Sequence, residues 1–248
     1  MSTKTSIEWT EQTWNPTVGC SHVSPGCNHC YAEVMARRLQ AMHVKGYENG
    51  FRLTLLPERL EEPLRRQRPT IYFVNSMSDL FHEDIPDIYI EQVLSVMWQA
   101  EQHTYQVLTK RAERMAEFCK NHVLPGNLWL GVTVENRMHG LPRIDALRRV
   151  ASAVRFISAE PLLEDLKAID LTGIHWVIVG GESGPQARRM QRDWVLNIKR
   201  QCDDQAIAFF FKQWGRWGVD GKKRGKKHNG RLLDGRTWDA SPLRLEIP

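Results

Sequence analysis

Short β-branched and aromatic runs alternate with longer stretches whose apolar residues recur every three or four positions. The runs at 70–74, 105–108, 128–134, 154–158, 176–179 and 207–211 predict strands, and a weaker run at 6–10 precedes them. Between them, helical spacing predicts helices over 31–43, 87–102, 111–121, 140–150 and 193–202. Within 87–102, Ile90, Val93, Leu94 and Met97 define one buried face, and Pro86 marks the start. Within 31–43, Val34, Leu39 and Met42 predict a broad apolar side.

Alternation of this kind predicts a parallel sheet with helical crossovers. The strand count fits a complete or partial (β/α) barrel or a doubly wound open sheet. Polar clusters at the strand ends favour the barrel, because a barrel gathers such ends on one face. They are Asn75-Ser76-Met77-Ser78-Asp79, Thr109-Lys110-Arg111, Glu135-Asn136, Ser158-Ala159-Glu160, Gly180-Gly181-Glu182-Ser183 and Lys212-Gln213-Trp214. The expected organisation is one barrel domain over 1–215, followed by a basic C-terminal cap over 216–248 that folds back across the open face.

Charge sharpens that division. The formal net charge is +5, and residues 216–248 carry all of it, with nine Lys/Arg against four Asp/Glu. No apolar run approaches the roughly 18 residues needed to span a bilayer, and no signal core follows Met1. The expectation is a soluble cytoplasmic protein.

Three of the five cysteines, Cys20, Cys27 and Cys30, lie in one loop spanning 19–31 with the spacing C-x6-C-x2-C. Thiolates at such spacing hold iron–sulfur clusters or zinc. Three ligands leave one iron of a four-iron cluster open, and S-adenosylmethionine can chelate that iron by its amino and carboxylate groups. With His22 or His29 as a fourth ligand, the same loop makes a structural zinc site. That alternative predicts a zinc-stabilised nucleic-acid-binding protein without catalysis. Cys119 and Cys202 fall in predicted helices and read as buried apolar residues.

The run Thr13-Trp14-Asn15-Pro16-Thr17-Val18-Gly19-Cys20, with Ser24-Pro25-Gly26-Cys27-Asn28-His29-Cys30-Tyr31-Ala32, resembles the phage Gp37/Gp68 family, which is distantly similar to radical S-adenosylmethionine enzymes. The resemblance continues through Ser76–Phe81, Leu108–Arg111, Leu130–Glu135, Ile157–Leu162, Val179–Gly184 and Phe211–Gly215, and so covers nearly the whole chain. It implies a barrel of the radical S-adenosylmethionine type. It also implies a [4Fe-4S] cluster on Cys20, Cys27 and Cys30, bound S-adenosyl-L-methionine, and an electron donor such as flavodoxin or ferredoxin. The family's phage setting implies modification of a nucleobase, nucleotide or nucleic acid. The wider superfamily pattern is C-x3-C-x2-C with an aromatic before the last cysteine. Here the first gap is longer, and Tyr31 follows Cys30. The superfamily's Gly-Gly-Glu motif follows the second strand, whereas Gly180-Gly181-Glu182 comes late, so that role is not transferred.

The strand ends supply the remaining expected site residues. Asn75 and Ser76 sit where superfamily barrels place the second strand beside the cluster loop. Asp79, Glu135, Glu160 and Glu182 are expected acceptors for cofactor hydroxyls. Gly180 and Gly181 can form a nest of backbone N–H groups. Lys110, Arg188, Arg189 and Lys212 are expected anion binders. Trp214, ahead of the basic run Lys222-Lys223-Arg224-Gly225-Lys226-Lys227, is an expected stacking platform for a base.

Overall fold

The computed structural model describes residues 3–5 and 7–242. The chain divides into two compact units. One contains the stretch up to residue 23 together with 30–131 and 149–153; the other contains 24–29, 132–148 and everything from 154 onward.

The first unit carries strands β1 (Thr3–Lys4), β2 (Gln12–Trp14), β3 (Thr17–Val18), β4 (Thr54–Leu55), β5 (Ile71–Val74) and β6 (Thr104–Thr109). Its helices are α1 (Tyr31–Ala41), α2 (Asp87–Gln99) and α3 (Ala112–Lys120). The sheet order is β1-β2-β5-β6, and β3 pairs with β4 in a separate ribbon. β2 runs parallel to β5 with Trp14 opposite Val74, and β5 parallel to β6 with Val74 opposite Val107. In this sheet β1 is antiparallel to β2, and the β3–β4 ribbon is antiparallel too. α2 starts directly after Pro86, whose fixed φ suits a helix entrance, and buries Ile90, Val93, Leu94 and Met97 as expected.

Strand β7 (Leu128–Thr133) carries the chain into the second unit, which contains α4 (Arg137–Arg148), β8 (Val154–Ala159), β9 (Trp176–Gly180), α5 (Arg192–Asp204), β10 (Ala208–Gln213) and the short α6 (Lys226–Asn229). β9 lies between β8 and β10 and is parallel to both. Every residue of β7 and β9 is buried. That explains their unbroken apolar runs, since a parallel strand covered on both faces has no solvent side to mark. Both units are thus α/β, with mostly parallel strands. Among the described residues, no helix is long and apolar enough to cross a membrane.

Three expectations change. In the weak strand placed at 6–10, Ser6 lies outside the described residues, and 7–10 form a turn in which the Thr10 amide donates to the Ile7 carbonyl at 3.4 Å. Trp9 is buried by packing on Phe73, with ring centroids 4.7 Å apart, and not by strand pairing. The strand is β2, where Trp14 is fully buried and its indole donates to the Arg59 carbonyl. Second, α1 buries Ala32 and Ala36 and leaves Val34 and Met42 exposed. Third, α4 begins at Arg137 and runs through Pro142, with Gly140 so close to Val134 that a Cβ would lie 2.6 Å from its Cγ1.

Beyond β10 the chain turns back along the strand's outer edge. The Phe211 amide donates to the Trp238 carbonyl at 2.9 Å, Phe210 bridges Asp239 antiparallel, and the Trp176 indole donates to the Ala240 carbonyl at 2.8 Å. This covers backbone groups that an edge strand would otherwise present. Residues 243–248 of the predicted cap lie outside the described residues.

Candidate functional site

In each unit, strand-end residues meet the part of the cysteine loop that belongs to that unit. In the first unit, β3 leads into Gly19 and Cys20. Gly19 has φ +84°, and a Cβ there would lie 2.2 Å from the Arg52 carbonyl oxygen, so only glycine fits. The Gly19 amide donates to the Met77 carbonyl and the Cys20 amide to the Phe51 carbonyl.

Arg111, at the end of β6, organises this corner. Its Nη1 lies 3.4 Å from Cys20 Sγ and 3.3 Å from Asp79 Oδ2. Its Nη2 donates to the carbonyl and the hydroxyl of Ser21, at 3.3 and 2.7 Å, and its Nε donates to Glu83 Oε2 at 2.6 Å. All five guanidinium donors are therefore used. Burial opposes the Arg111 charge, but Glu83, Asp79 and Cys20 outweigh it and raise its pKa. The hydrogen bond from Arg111 pulls the Glu83 carboxyl down to about 2.

Asp79 is saturated. It also accepts from the Thr109 hydroxyl at 2.7 Å and from the Phe81 and Lys110 amides at 3.0 Å. The Asp84 amide donates to His82 Nδ1 at 3.1 Å, so the proton of the neutral ring sits on Nε2 and points to Ser21 Oγ, 3.0 Å away. Burial, then the nearby Arg111 charge, pushes the His82 pKa down, which favours that neutral form.

Asn75 holds φ +57°, donates from Nδ2 to Thr17 Oγ1 at 2.6 Å, and leaves Oδ1 buried without a hydrogen-bond partner. Ser76 donates to Asn15 Oδ1 at 3.1 Å, and its carbonyl accepts from the Tyr31 hydroxyl. Cys30 stands at the N-cap of α1. A cleft of about 880 Å³ opens beside Cys20, bordered by Ser21, Phe51, Arg52, His82 and Glu83.

In the second unit, residues 24–29 form a tight turn with Cys27 buried, its amide donating to the Ser24 carbonyl at 2.9 Å. Gly26 packs on Glu135, where a Cβ would lie 3.2 Å from Glu135 Cγ. Glu135 is fully buried; Oε2 accepts from Arg143 at 2.6 Å, and Oε1 has no hydrogen-bond partner. Burial works to raise its pKa, yet Arg143 and Ser24 hold it below the usual carboxylate range.

Glu182 grips Arg188 with both oxygens, at 2.9 Å from Nε and 2.5 Å from Nη2. The same Nη2 donates to the Pro25 carbonyl at 3.0 Å, and His29 Nδ1 lies 3.3 Å from Glu182. Arg188 is thus engaged with a carboxylate and the cysteine loop. Glu160 accepts from Lys212 Nζ at 2.8 Å and from Gln213 Nε2 at 3.2 Å. Gln213 Oε1 is buried and without a hydrogen-bond partner.

Gly180 and Gly181 have a packing reason to be glycines: a Cβ on Gly181 would sit 2.0 Å from the Trp214 carbonyl oxygen, and one on Gly180 would sit 3.1 Å from Glu160 Cδ. The Trp214 ring is buried against Phe211, and its indole donates to the Leu232 carbonyl. Arg189 is exposed, its guanidinium 2.9 Å from where a Gly221 Cβ would stand. Sequence reasoning passed over Arg111, Ser21, His82 and Gln213. Arg111 and Gln213 were visible in strand-end clusters; Ser21 and His82 carried no signal of their own.

No cysteine is in a disulfide. Among the described residues, no three Cys, His, Asp or Glu side chains converge as a single-ion site requires. Each loop histidine already faces a carboxylate, His22 with Glu33 at 3.0 Å and His29 with Glu182. A four-iron cluster asks for different things: soft thiolates, one per iron, kept ionised by their surroundings. Arg111 sets a guanidinium N–H 3.4 Å from Cys20 Sγ, and Cys30 stands at the N-terminus of α1. By contrast, burial pushes the Cys119 and Cys202 thiols up to about 12. Within the second unit, the buried acceptors Glu135 Oε1 and Gln213 Oε1 suit a ligand rich in N–H and O–H donors, as S-adenosylmethionine is.

The family model described as a protein of unknown function, DUF5131, matches residues 4–242, and the chain belongs to that family. No curated protein matches. Solved structures of spore photoproduct lyase are similar in backbone. One, complexed with dinucleoside spore photoproduct, is 12% identical with a TM-score of 0.47, covering 81% of this chain and 63% of the lyase. A doubly substituted mutant of the lyase, with bound AdoMet and the dinucleoside, gives the same figures. A singly substituted mutant is 11% identical with a TM-score of 0.49. The chain therefore spans less than two thirds of the length of these lyases.

Proposed function

We propose that this member of the family is a radical S-adenosylmethionine enzyme acting on a nucleobase, nucleotide or nucleic acid, with Cys20, Cys27 and Cys30 as ligands of a [4Fe-4S] cluster. When bound, the cluster and S-adenosylmethionine supply a 5′-deoxyadenosyl radical that abstracts hydrogen from the substrate. The observation that carries this reading is the guanidinium of Arg111 on Cys20, within a three-cysteine loop whose histidines are both turned to carboxylates.

The chain's own residues bind and orient. Arg111 holds Cys20 and Ser21 in place, and Asp79 and Glu83 hold Arg111. Glu182 and Arg188 hold the turn that carries Cys27. Asn75 and Glu135 would accept hydrogen bonds from the cofactor's amino and ribose groups, with Ser76, Asp79, Glu160, Gly180 and Gly181 shaping the strand ends around them. Lys110 and Arg189 would meet substrate phosphates, while Lys212 is engaged with Glu160. Flavodoxin or ferredoxin would serve as electron donor, and the chain would work in the cytoplasm as a barrel closed by its C-terminal segment.

Anaerobic purification and reconstitution test this. The expected product is brown, with about four irons per chain, and Cys20→Ala, Cys27→Ala or Cys30→Ala each abolish the colour. Dithionite with S-adenosylmethionine then yields 5′-deoxyadenosine. A colourless protein with one zinc, and no nucleoside product, would replace this reading with the zinc-stabilised binding protein.

A further inference from the structure

Residues 216–230 carry six Lys/Arg and one Asp, a formal charge equal to that of the entire chain. A charge run of this kind is often a loose solvated tail, but here the backbone is built. The Arg216 amide donates to the Glu182 carbonyl at 2.9 Å, the Arg224 amide to the Arg216 carbonyl at 2.9 Å, and the Gly218 amide to the Lys222 carbonyl at 2.9 Å. Trp217 bridges Lys223 antiparallel, and its indole donates to the Ala187 carbonyl at 2.6 Å. Arg224 is paired at the surface with Asp220, at 2.6 and 3.0 Å, and the Asn229 amide group donates to the Gly215 carbonyl at 3.0 Å. Lys222, Lys223 and Lys227 are exposed, and Arg189 joins them beside Gly221.

The tryptophan rings of this region are already engaged. Trp214 is buried, and Trp217 is pinned by its indole, with the Lys223 ammonium 5.3 Å from the ring centroid. Stacking on bases is therefore not what this surface offers; an array of ammonium groups on a fixed scaffold is. That array suits the regular phosphates of a polymer and reads no sequence.

We infer that Lys222, Lys223, Lys227 and Arg189 form a docking surface for the phosphate backbone of a polymeric nucleic acid, so that the substrate is a polymer and not a free nucleotide. The inference rests on the functional reading above only for the identity of that polymer as the substrate. The Arg216 amide ties the base of this segment to the Glu182 carbonyl, in the strand-end group of its own unit.

The test is fluorescence anisotropy of the full chain with a labelled duplex of random sequence, from about 50 to about 200 mM salt. Wild type should bind, weaken steeply with salt, and yield little to a mononucleotide competitor. The Lys222→Ala/Lys223→Ala/Lys227→Ala variant should bind at least tenfold more weakly and lose about 2 to 3 from the salt slope. If that variant misfolds by circular dichroism, Lys227→Glu alone should still remove about 1 from the slope. Unchanged slopes, no binding by wild type, or displacement by polyglutamate as effective as by DNA would each overturn the inference, the last in favour of an acidic protein partner. No arm needs a cluster, so a chain that binds DNA but takes up no iron sinks only the radical reading.

Discussion

At the scale of single residues, Arg111 matters most. A guanidinium with every donor used, set against a sulfur proposed as a cluster ligand, does two separable things. It fixes where Cys20 stands, and it places positive charge and an N–H on that sulfur. Hydrogen bonds to cluster thiolates are among the levers that set reduction potential. Arg111→Met should therefore lower the iron content reached on reconstitution and move the potential of the remaining cluster to more negative values. Arg111→Lys keeps the charge but loses the planar fork, so it should fall between Met and wild type. Iron analysis and an EPR-monitored redox titration would read both. A merely structural role would change yield and leave the potential where it was. The sequence marked Arg111 as a helix start, because nothing local reveals that Ser21, Asp79 and Glu83 arrive from other segments to surround it.

At the scale of elements, the predicted helices and all predicted strands but the one at 6–10 recur within a few residues of their expected ends, since their apolar periods reflect burial directly. α1 is the instructive exception. Its large apolar residues suggested the buried side, yet the cluster it joins, Val18, Tyr47, Leu56 and Met77, buries Ala32 and Ala36 and takes only Leu39 of the three predicted, in part. Size therefore misled where close approach was needed. Ala36 is fully buried, so Ala36→Leu should cost about 1–3 kcal/mol through overpacking, whereas Val34→Asp, half exposed at 52%, should leave the free energy of unfolding from urea titration within about 0.5 kcal/mol of wild type. Equal effects of the two substitutions would mean that the helix packs by its other face. The strand-end clusters were legible for a similar reason to the strands. Their internal pairing was not: Glu182 to Arg188 and Glu160 to Lys212 use up charges that a sequence shows only as available.

At the scale of the whole molecule, these buried pairings set how stability responds to acid. His82, His103 and His175 all have pKa values pushed below 6.5, chiefly by burial. Their unfolded forms take up protons first as pH falls, so the stability they hold above pH 6.5 is lost on the way down through their native values. Glu135 and Glu182 are also depressed, against their own burial, and Glu83 reaches about 2. Their contribution is full above about 4.5 and drains below it. Glu83 counts for less than its shift implies, because its side chain is 58% exposed and solvent screens the pair. His122 has the opposite sign: bonded to the Phe118 carbonyl and to Glu91, its pKa is raised, so its contribution is lost as pH rises. It stands against three histidines and three carboxylates. The melting temperature should therefore fall as pH drops from 7, first gradually through the histidine range and then steeply below about 4.5. His103→Gln, which removes a buried titrating ring bonded to the Pro63 carbonyl, should flatten the first part of that curve and leave the second. A melting temperature that rises on acidification would show that the buried histidines gain protons in the native state, contrary to the surroundings found for them.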